Sequence, residues 1–215
     1  MYFVAEDTAS RKQCIGVATA ASVLGPYLPA SDAPAVYPIA EGGAIDPQLF
    51  TDTDTDGTRY LVFKTDGNCC GLDTWIEMAP LSADGKTIVG TPTRLIRQTL
   101  GWEGNVVEAP TLIRHGSHYV LLYSANDYSH DQYAIGVATA VSLTGPYQKQ
   151  AVPLLSTASS HGAFLGPGGQ DLVVGPKDDV LVFHSWDASY AHHPMQSLPL
   201  RWRGDTPSVT PPVGG

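Results

Sequence analysis

The chain has 215 residues and a net charge of −9, from 12 Lys and Arg against 21 Asp and Glu. This length fits one domain or two small ones, and an acidic chain without a basic run argues against nucleic acid or an anionic membrane surface as a partner. Only 15% of the residues are charged, whereas 22 are Gly and 17 are Pro, which excludes a coiled coil and a disordered chain. No apolar run reaches the roughly 18 residues of a membrane span.

The first seven residues lack the basic stretch and the long apolar segment of a signal peptide, so extracellular and cytoplasmic locations both stay open. The three cysteines, Cys14, Cys69 and Cys70, form no CxxC pair. An odd count without such a pair argues against a disulfide framework and against a structural zinc site. We therefore expect three free thiols.

Short apolar runs rich in Val, Leu, Tyr and Phe follow turn-forming residues along the whole chain. In chain order they include residues 60–63, 119–123 and 180–183. Each run is typical of a strand in a β-hairpin, and no window of 11 residues carries a clean helical period. The sequence therefore predicts an all-β fold.

An internal repeat narrows this prediction. The segment CIGVATA at 14–20 returns as AIGVATA at 134–140, and both copies are followed by a Ser and then by Gly-Pro-Tyr. Aligning residues 2–27 with 122–147 without gaps gives 12 identities in 26 positions. A repeat of this kind indicates an architecture built from similar strand units.

A shorter spacing lies inside that repeat. Pro47, Pro110 and Asp171, each at the start of a strand pair, stand 63 and 61 residues apart. A unit of about 60 residues with about four strands is typical of a propeller blade. We therefore predict one domain over 1–215, with the end of an incomplete blade at 1–40 and further blades at 41–105, 106–165 and 166–215. That makes about three and a half to four blades.

Two carboxylates stand where strands begin. Asp46 lies in Gly-Ala-Ile-Asp-Pro, and Glu108 lies one unit later in Val-Glu-Ala-Pro. If both occupy equivalent positions of innermost strands, they face each other across a central channel, an arrangement that suits acid–base work on a glycosidic bond. The alternative is that both are simply turn-forming residues at the start of strands.

Two further features could contact a ligand. The Gly-rich stretch 166–171 contains Gln170, and its glycines would let the backbone bend close to a ligand or to the channel. His184 stands in Phe-His-Ser-Trp, at the end of an inner strand. A single His in such a place is more often structural than a ligand of an ion or a substrate.

These segments together resemble glycoside hydrolase family 43, whose members are arabinanases, arabinofuranosidases and β-xylosidases. The resemblance is carried by GAIDPQLF, WEGNVVEAPTLI, YSANDYSHDQYAIGVATAVSLTGPY, GPGGQDLV and LVFHSWD. It runs from about residue 2 to about residue 207. It implies a five-bladed β-propeller, of which the first blade is largely missing here.

The resemblance also implies a mechanism and its residues. The family inverts its substrate with three acidic residues and requires no cofactor. Glu108 matches the general acid, and Asp46 matches the residue that tunes the pKa of that acid. Trp102, Asn126, Gln170 and His184 are expected to contact the sugar, and His184 also matches a His that holds a channel ion, often calcium. Gln170 departs from the His common at its position.

The third acidic residue, the general base, has no counterpart in this sequence. The family carries it in an N-terminal Asp-Pro motif, which Glu6 and Asp7 do not match. Three hypotheses follow: part of a glycosidase for arabinose- or xylose-containing polysaccharides, a short form that binds such sugars without cleaving them, or a propeller-type interaction module. We also expect open blade edges to drive self-association.

Overall fold

Strands dominate the computed structural model, which describes residues 1–53 and 57–212. Its helices are three 3-10 segments, Ile39–Glu41, Gly67–Cys70 and Gly101–Glu103. None of these described helices has the length or the hydropathy needed to cross a bilayer. The predicted apolar runs all fall within strands, so the all-β prediction is confirmed.

The chain divides into two compact units, Met1–Ile96 and Arg97–Gly215. The first unit holds two antiparallel sheets, with strand orders β1-β2-β3 and β4-β5-β6-β7. Their strands are β1 (Tyr2–Glu6), β2 (Gln13–Thr19), β3 (Leu28–Pro29), β4 (Ala44–Thr51), β5 (Arg59–Thr65), β6 (Trp75–Pro80) and β7 (Thr93–Arg97).

The second unit holds two four-stranded antiparallel sheets, again with the strands in chain order. The third sheet of the chain comprises β8 (Val107–His115), β9 (His118–Ala125), β10 (Ala134–Ala140) and β11 (Gln148–Lys149). The fourth comprises β12 (Leu165–Val173), β13 (Asp179–Trp186), β14 (Met195–Arg203) and β15 (Thr206–Val209).

Sheets whose strands follow one another in chain order are the blades of a propeller, so the predicted fold class is confirmed. The three-stranded first sheet contains more of a blade than the half that the repeat predicts. Its β1 and β2 align with β9 and β10 of the third sheet, at the offset of 120 residues. Each sheet also lies within a predicted blade range, except that β12 begins one residue early, at Leu165. That residues 1–215 form one domain stays a prediction.

Each unit has its own apolar core between its two sheets. In the first unit the core is Ile15, Val36, Ala44, Leu61, Phe63, Ala79 and Leu81. In the second unit it is Val120, Leu122, Ile135, Val137, Leu155, Phe164, Leu181, Phe183, Leu198 and Leu200. Alternate residues of β5, β9 and β13 contribute to these cores, as expected for strands with one face against a neighbouring sheet.

The two copies of the repeat place a glycine under an aromatic ring. Gly16 pairs with Phe3 in the first sheet, and Gly136 pairs with Tyr123 in the third. A Cβ atom at either glycine would lie 2.4 Å from the Cζ atom of that ring. Tyr123 is fully buried, whereas Phe3 is half-buried. The same substitution therefore meets a fixed ring in one copy and a movable ring in the other.

We expect Gly136→Ala to lower the free energy of unfolding by about 1–3 kcal/mol, because overpacking a filled site forces side chains and backbone to shift. Gly16→Ala is the matched control and should cost clearly less, because Phe3 can turn toward solvent. Urea denaturation of both variants measures the difference. Equal losses, or a larger loss at Gly16, would contradict the argument.

The cysteines differ from the expectation of three free thiols. Cys69 and Cys70 form a disulfide between adjacent residues, so the expectation was wrong for this pair. Both residues are exposed in the 3-10 segment Gly67–Cys70. Cys14 is the free cysteine of the described residues, and it is buried. Adjacency in sequence disfavours such a bond, but it does not forbid one where a tight turn presents both side chains.

Candidate active site

The first strand of each four-stranded sheet carries a bulge at the same place. The strand contributes two residues there against one on its partner, so the ladder shifts by one residue. The residue that opens each bulge has a positive φ angle, which is 55° at Asp46, 47° at Ala109 and 58° at Gly169. The flanking ladder pairs are Ile45–Lys64 and Gln48–Val62, Glu108–Ser124 and Thr111–Leu122, and Gly168–His184 and Asp171–Val182.

This common bulge corrects the prediction that the two carboxylates occupy equivalent positions. Asp46 is equivalent to Ala109, and Glu108 is equivalent to Ile45, so the carboxylates are offset by one residue. The Pro that follows Asp46 and Ala109 sets the alignment of these two sheets, and Glu108 stands two residues before its Pro rather than one. Asp46 is half-buried in β4 of the first unit. The other predicted site residues all lie in the second unit.

Glu108 is held by a tyrosine. Its Oε1 atom accepts a hydrogen bond from the hydroxyl of Tyr133 at 2.5 Å. The Tyr133 side chain is buried, with 2% exposure. Gly168 packs against its ring so closely that a Cβ atom there would lie 1.9 Å from Cε1 of Tyr133. The phenol therefore reaches Glu108 from a fixed position.

Gln170 braces the strand beside Glu108. Its Oε1 atom accepts a hydrogen bond from Oγ of Ser124 at 2.7 Å, and its Nε2 atom donates to the carbonyl of Ala109 at 2.6 Å. Its own carbonyl accepts from Oγ1 of Thr111 at 2.9 Å. The residue is 4% exposed, so both ends of its amide are engaged within the protein. Contact between Gln170 and a sugar stays a prediction, while the observed bonds fix the bulge of β8.

His184 lies in an aromatic stack close to the same tyrosine. Its ring is stacked on Tyr133 at 6.1 Å and on His193 at 4.7 Å between centroids. Burial, together with the neighbouring His193, lowers the pKa of His184 below the ordinary value of an imidazole. Its Nδ1 atom is buried and has no hydrogen-bond partner among the described residues. Tyr133 thus links the predicted acid to the predicted histidine.

The ion that the resemblance implies for His184 finds little support. Within residues 1–53 and 57–212, no group of three or more His, Cys, Asp or Glu side chains could hold a metal. His193 contributes a second imidazole, but no carboxylate completes a set. Calcium prefers six to eight oxygen ligands, so these residues do not fit it, and no step of the chemistry below passes through an ion.

The lowered pKa of His184 predicts a pH effect on stability. The unfolded chain binds a proton at about pH 6.5, whereas the folded chain resists it, so stability falls as the pH drops below about 6.5. We expect the melting temperature of His184→Gln to fall less between pH 7.5 and pH 5.5 than that of the parent protein. The exposed His130, changed to Gln, is the control. An unchanged pH dependence in His184→Gln would contradict the prediction.

Trp102 and Asn126 come together at a pocket of about 590 Å³. Asn126, at a φ of 77°, donates from Nδ2 to the carbonyl of Trp102 at 2.9 Å. The Trp102 ring is stacked on Tyr123 at 6.0 Å between centroids. Polar residues from two loops, among them Asp131 and Thr157, complete the wall. An aromatic ring beside hydroxyl, amide and carboxylate groups can receive a sugar.

A buried glutamate that the sequence did not single out supports this pocket. Glu103 has no exposed surface, and its carboxylate accepts from the Tyr123 hydroxyl and from Nζ of Lys149, both at 2.7 Å. It also accepts from the backbone amides of Thr99 at 2.6 Å and Leu100 at 2.8 Å. Burial alone would raise the pKa of Glu103, but these donors together hold it below its ordinary value.

The first unit has a pocket of its own that the sequence did not reveal. It encloses about 460 Å³. Arg94 bridges two glutamates there, with Nε 3.1 Å from Glu77 and Nη2 3.0 Å from Glu41. Burial, and then the charge of Glu41, raises the pKa of Glu77. No residue predicted for the site lines this pocket.

The chain is similar to known glycosidases. An extracellular endo-α-(1→5)-L-arabinanase 1 of Bacillus subtilis is 30% identical over 175 residues, 77% of this chain and 50% of that protein. An extracellular exo-α-(1→5)-L-arabinofuranosidase of Streptomyces avermitilis is 30% identical over 139 residues, 60% of this chain and 28% of that protein. This chain therefore spans half or less of the length of these two curated relatives.

A solved structure described as a thermostable family-43 glycoside hydrolase superimposes with a TM-score of 0.84 at 26% identity, over 99% of this chain and 70% of that chain. The sequence model of Glycosyl hydrolases family 43 matches residues 1–206. That match covers nearly all of the sequence and runs through every residue predicted for the site. The chain belongs to glycosyl hydrolases family 43.

Proposed function

We propose that this chain is part of a glycosidase for arabinose- or xylose-containing plant oligosaccharides and polysaccharides, with Glu108 as its general acid. The observation that carries the proposal is the carboxylate of Glu108, half-buried at the bulge of β8 and bound by the Tyr133 hydroxyl at 2.5 Å. Family membership supports the reaction class. The substrate class follows from the names of the arabinan-degrading relatives.

In the proposed reaction Glu108 donates its proton to the leaving glycosidic oxygen while water attacks the anomeric carbon from the opposite face. This course inverts the configuration at that carbon. Asp46 is assigned to tuning the acid, on its match to the family motif. No carboxylate in the sequence matches the motif of the general base, so the proposal leaves that role without a residue.

The same proposal assigns sugar contacts to the pocket of Trp102 and Asn126. One face of an indole packs well against the apolar face of a pentose ring, and amide groups bind its hydroxyls. His184 keeps the sugar-contacting role that the sequence assigned it, whereas Gln170 is assigned an indirect part in sugar binding. Gln170 acts through the position of Ala109, because its own amide is already engaged. Self-association through sheet edges also stays a prediction.

The test is an assay of the protein on aryl α-L-arabinofuranosides and β-D-xylosides, and on short arabinan and xylan oligomers. Proton NMR identifies which anomer of the released sugar appears first and so gives the configuration of the product. Release of a pentose of inverted configuration supports the proposal, and a product of retained configuration would reject the inverting course. Absence of turnover on every substrate, both by this chain and by this chain joined to an N-terminal blade that carries the Asp-Pro general base, would reject the glycosidase.

A binding protein without hydrolysis is the second candidate, and the lack of a matching general base favours it. Calorimetric titration with the same oligomers separates the two functions. Binding without turnover, weakened by Trp102→Ala, supports the second candidate. Neither binding nor turnover would leave the propeller-type interaction module as the remaining hypothesis.

A further inference from the structure

The side chain of Tyr133 is held in one position by close packing. It immediately precedes β10 and is 2% exposed. One face of its ring stacks on His184. The absence of a side chain at Gly168 makes room for the ring, since a Cβ atom there would collide with it. The hydroxyl group is thereby aimed at Glu108.

We propose that Tyr133 is a positioning residue that holds Oε1 of Glu108 and stabilises the carboxylate formed when Glu108 gives up its proton. The inference rests on the proposed function of Glu108 as the acid. It adds a residue that neither the motifs nor the names of the relatives assign.

The hydrogen bond determines where the proton sits. The phenolic hydroxyl donates to Oε1, so the proton that Glu108 delivers is carried by Oε2. When the glycosidic C–O bond breaks, that proton moves from Oε2 to the leaving oxygen, and the negative charge spreads over both carboxylate oxygens. Tyr133 keeps its own proton throughout. Its hydrogen bond strengthens as charge develops, because bonds to ionised acceptors are stronger than bonds to neutral ones.

The bond also fixes the direction of the acid. A glutamate side chain has three rotatable bonds, and the hydrogen bond at Oε1 restricts the carboxyl to few rotamers. The ladder pair with Ser124 fixes the backbone below it, and the bonds of Gln170 fix the bulge above it. The strand pairing and Gln170 therefore hold the backbone of Glu108, and Tyr133 holds its carboxyl group.

The kinetic test uses Tyr133→Phe, which retains the ring and its packing but removes the hydroxyl. We expect kcat to fall by about tenfold to a hundredfold on a pentoside with a poor leaving group, as expected for the loss of a hydrogen bond to a charged group. KM should change by less than about threefold. The loss should shrink on an activated aryl pentoside, whose departure needs no proton.

Carbon-13 NMR tests the same contact without turnover. Glutamate labelled with 13C at Cδ gives a signal for each carboxyl of the 215-residue chain, and the spectrum of Glu108→Gln identifies the signal of Glu108. Because the Cδ chemical shift responds to hydrogen bonding at the carboxyl oxygens, the Glu108 signal should move further in Tyr133→Phe than the signals of the other glutamates. An unmoved Glu108 signal would overturn the inference.

Tyr147→Phe is the matched control. It also removes a hydroxyl bound within the second unit, in this case to the carbonyl of Leu143 at 3.0 Å near the outermost strand β11. It should leave kcat and the Cδ signal of Glu108 unchanged. Gly168→Ala, which displaces the ring, should reproduce the dependence on the leaving group seen with Tyr133→Phe. If Glu108→Gln shows no such dependence, the proposed function fails; if Glu108→Gln shows it and Tyr133→Phe does not, only the role of Tyr133 fails.

Discussion

Replacing Glu108 by Gln should lower kcat by about 10²–10⁴-fold on an arabinoside or xyloside with a poor leaving group, the usual contribution of general acid catalysis. Gln has nearly the shape of Glu and still accepts the hydrogen bond from Tyr133, so packing and sugar binding should survive. What it loses is the proton for the leaving oxygen. The expected signature is a fall in kcat with little change in KM.

The leaving group separates this role from a structural one. With a dinitrophenyl pentoside the departing oxygen is stable as an anion, and Glu108→Gln should then retain most of its activity. The control is Asp171→Asn, which removes an exposed carboxylate of β12. It should leave both substrates unaffected. Equal losses on both substrates in Glu108→Gln would remove Glu108 from the role of acid.

The second large effect concerns stability. We expect Glu103→Gln to lower the free energy of unfolding by about 3 kcal/mol, near the lower end of the cost of breaking a buried ion pair. A carboxylate accepts at both oxygens from Lys149, Tyr123 and two backbone amides. An amide accepts at one oxygen only and turns its NH₂ group toward donors. Lys149 is then left charged in a site where its side chain is 10% exposed.

Two measurements check this prediction. In urea denaturation at pH 7, Lys149→Met should lower the free energy of unfolding by less than Glu103→Gln does, because the carboxylate of Glu103 keeps its other donors. The lowered pKa of Glu103 means that its stabilisation is complete above the unfolded-state value of about 4.3 and disappears as the pH falls through the lower folded-state value. The variant should therefore be less sensitive to acid below pH 4. A loss under about 1 kcal/mol at pH 7 would be too small for a broken buried pair.

The fold was predictable because its signals are local. Strands such as 119–123 are short apolar runs, turns contain Gly and Pro, and the repeat of Gly-Pro-Tyr shows directly that units recur. Glu108 and Asp46 could be selected because each stands one or two residues before a Pro where a strand begins. The one-residue offset between them is visible as Asp-Pro against Glu-Ala-Pro. Only the strand pairing shows that the Pro residues, and not the carboxylates, occupy equivalent positions.

The residues that support the site could not be predicted from the sequence, for a related reason. Glu103 looks like any polar residue of a loop, and only the fold brings Lys149, 46 positions later, to its carboxylate. Tyr133 reads as the first aromatic residue of an ordinary strand, and its partner Gly168 lies 35 positions away. The disulfide between Cys69 and Cys70 was missed because sequence statistics describe the average turn and not this one.

The recurring bulge has a consequence for how such sites arise by duplication. The position before the bulge residue with positive φ is occupied by Ile45 in one sheet, Glu108 in the next and Gly168 in the last, while the bulge itself is the same. The same backbone position thus carries an apolar residue, an acid and a glycine in the three sheets. A single substitution at this position can therefore add or remove a reactive group in one repeat while the bulge around it recurs in all three.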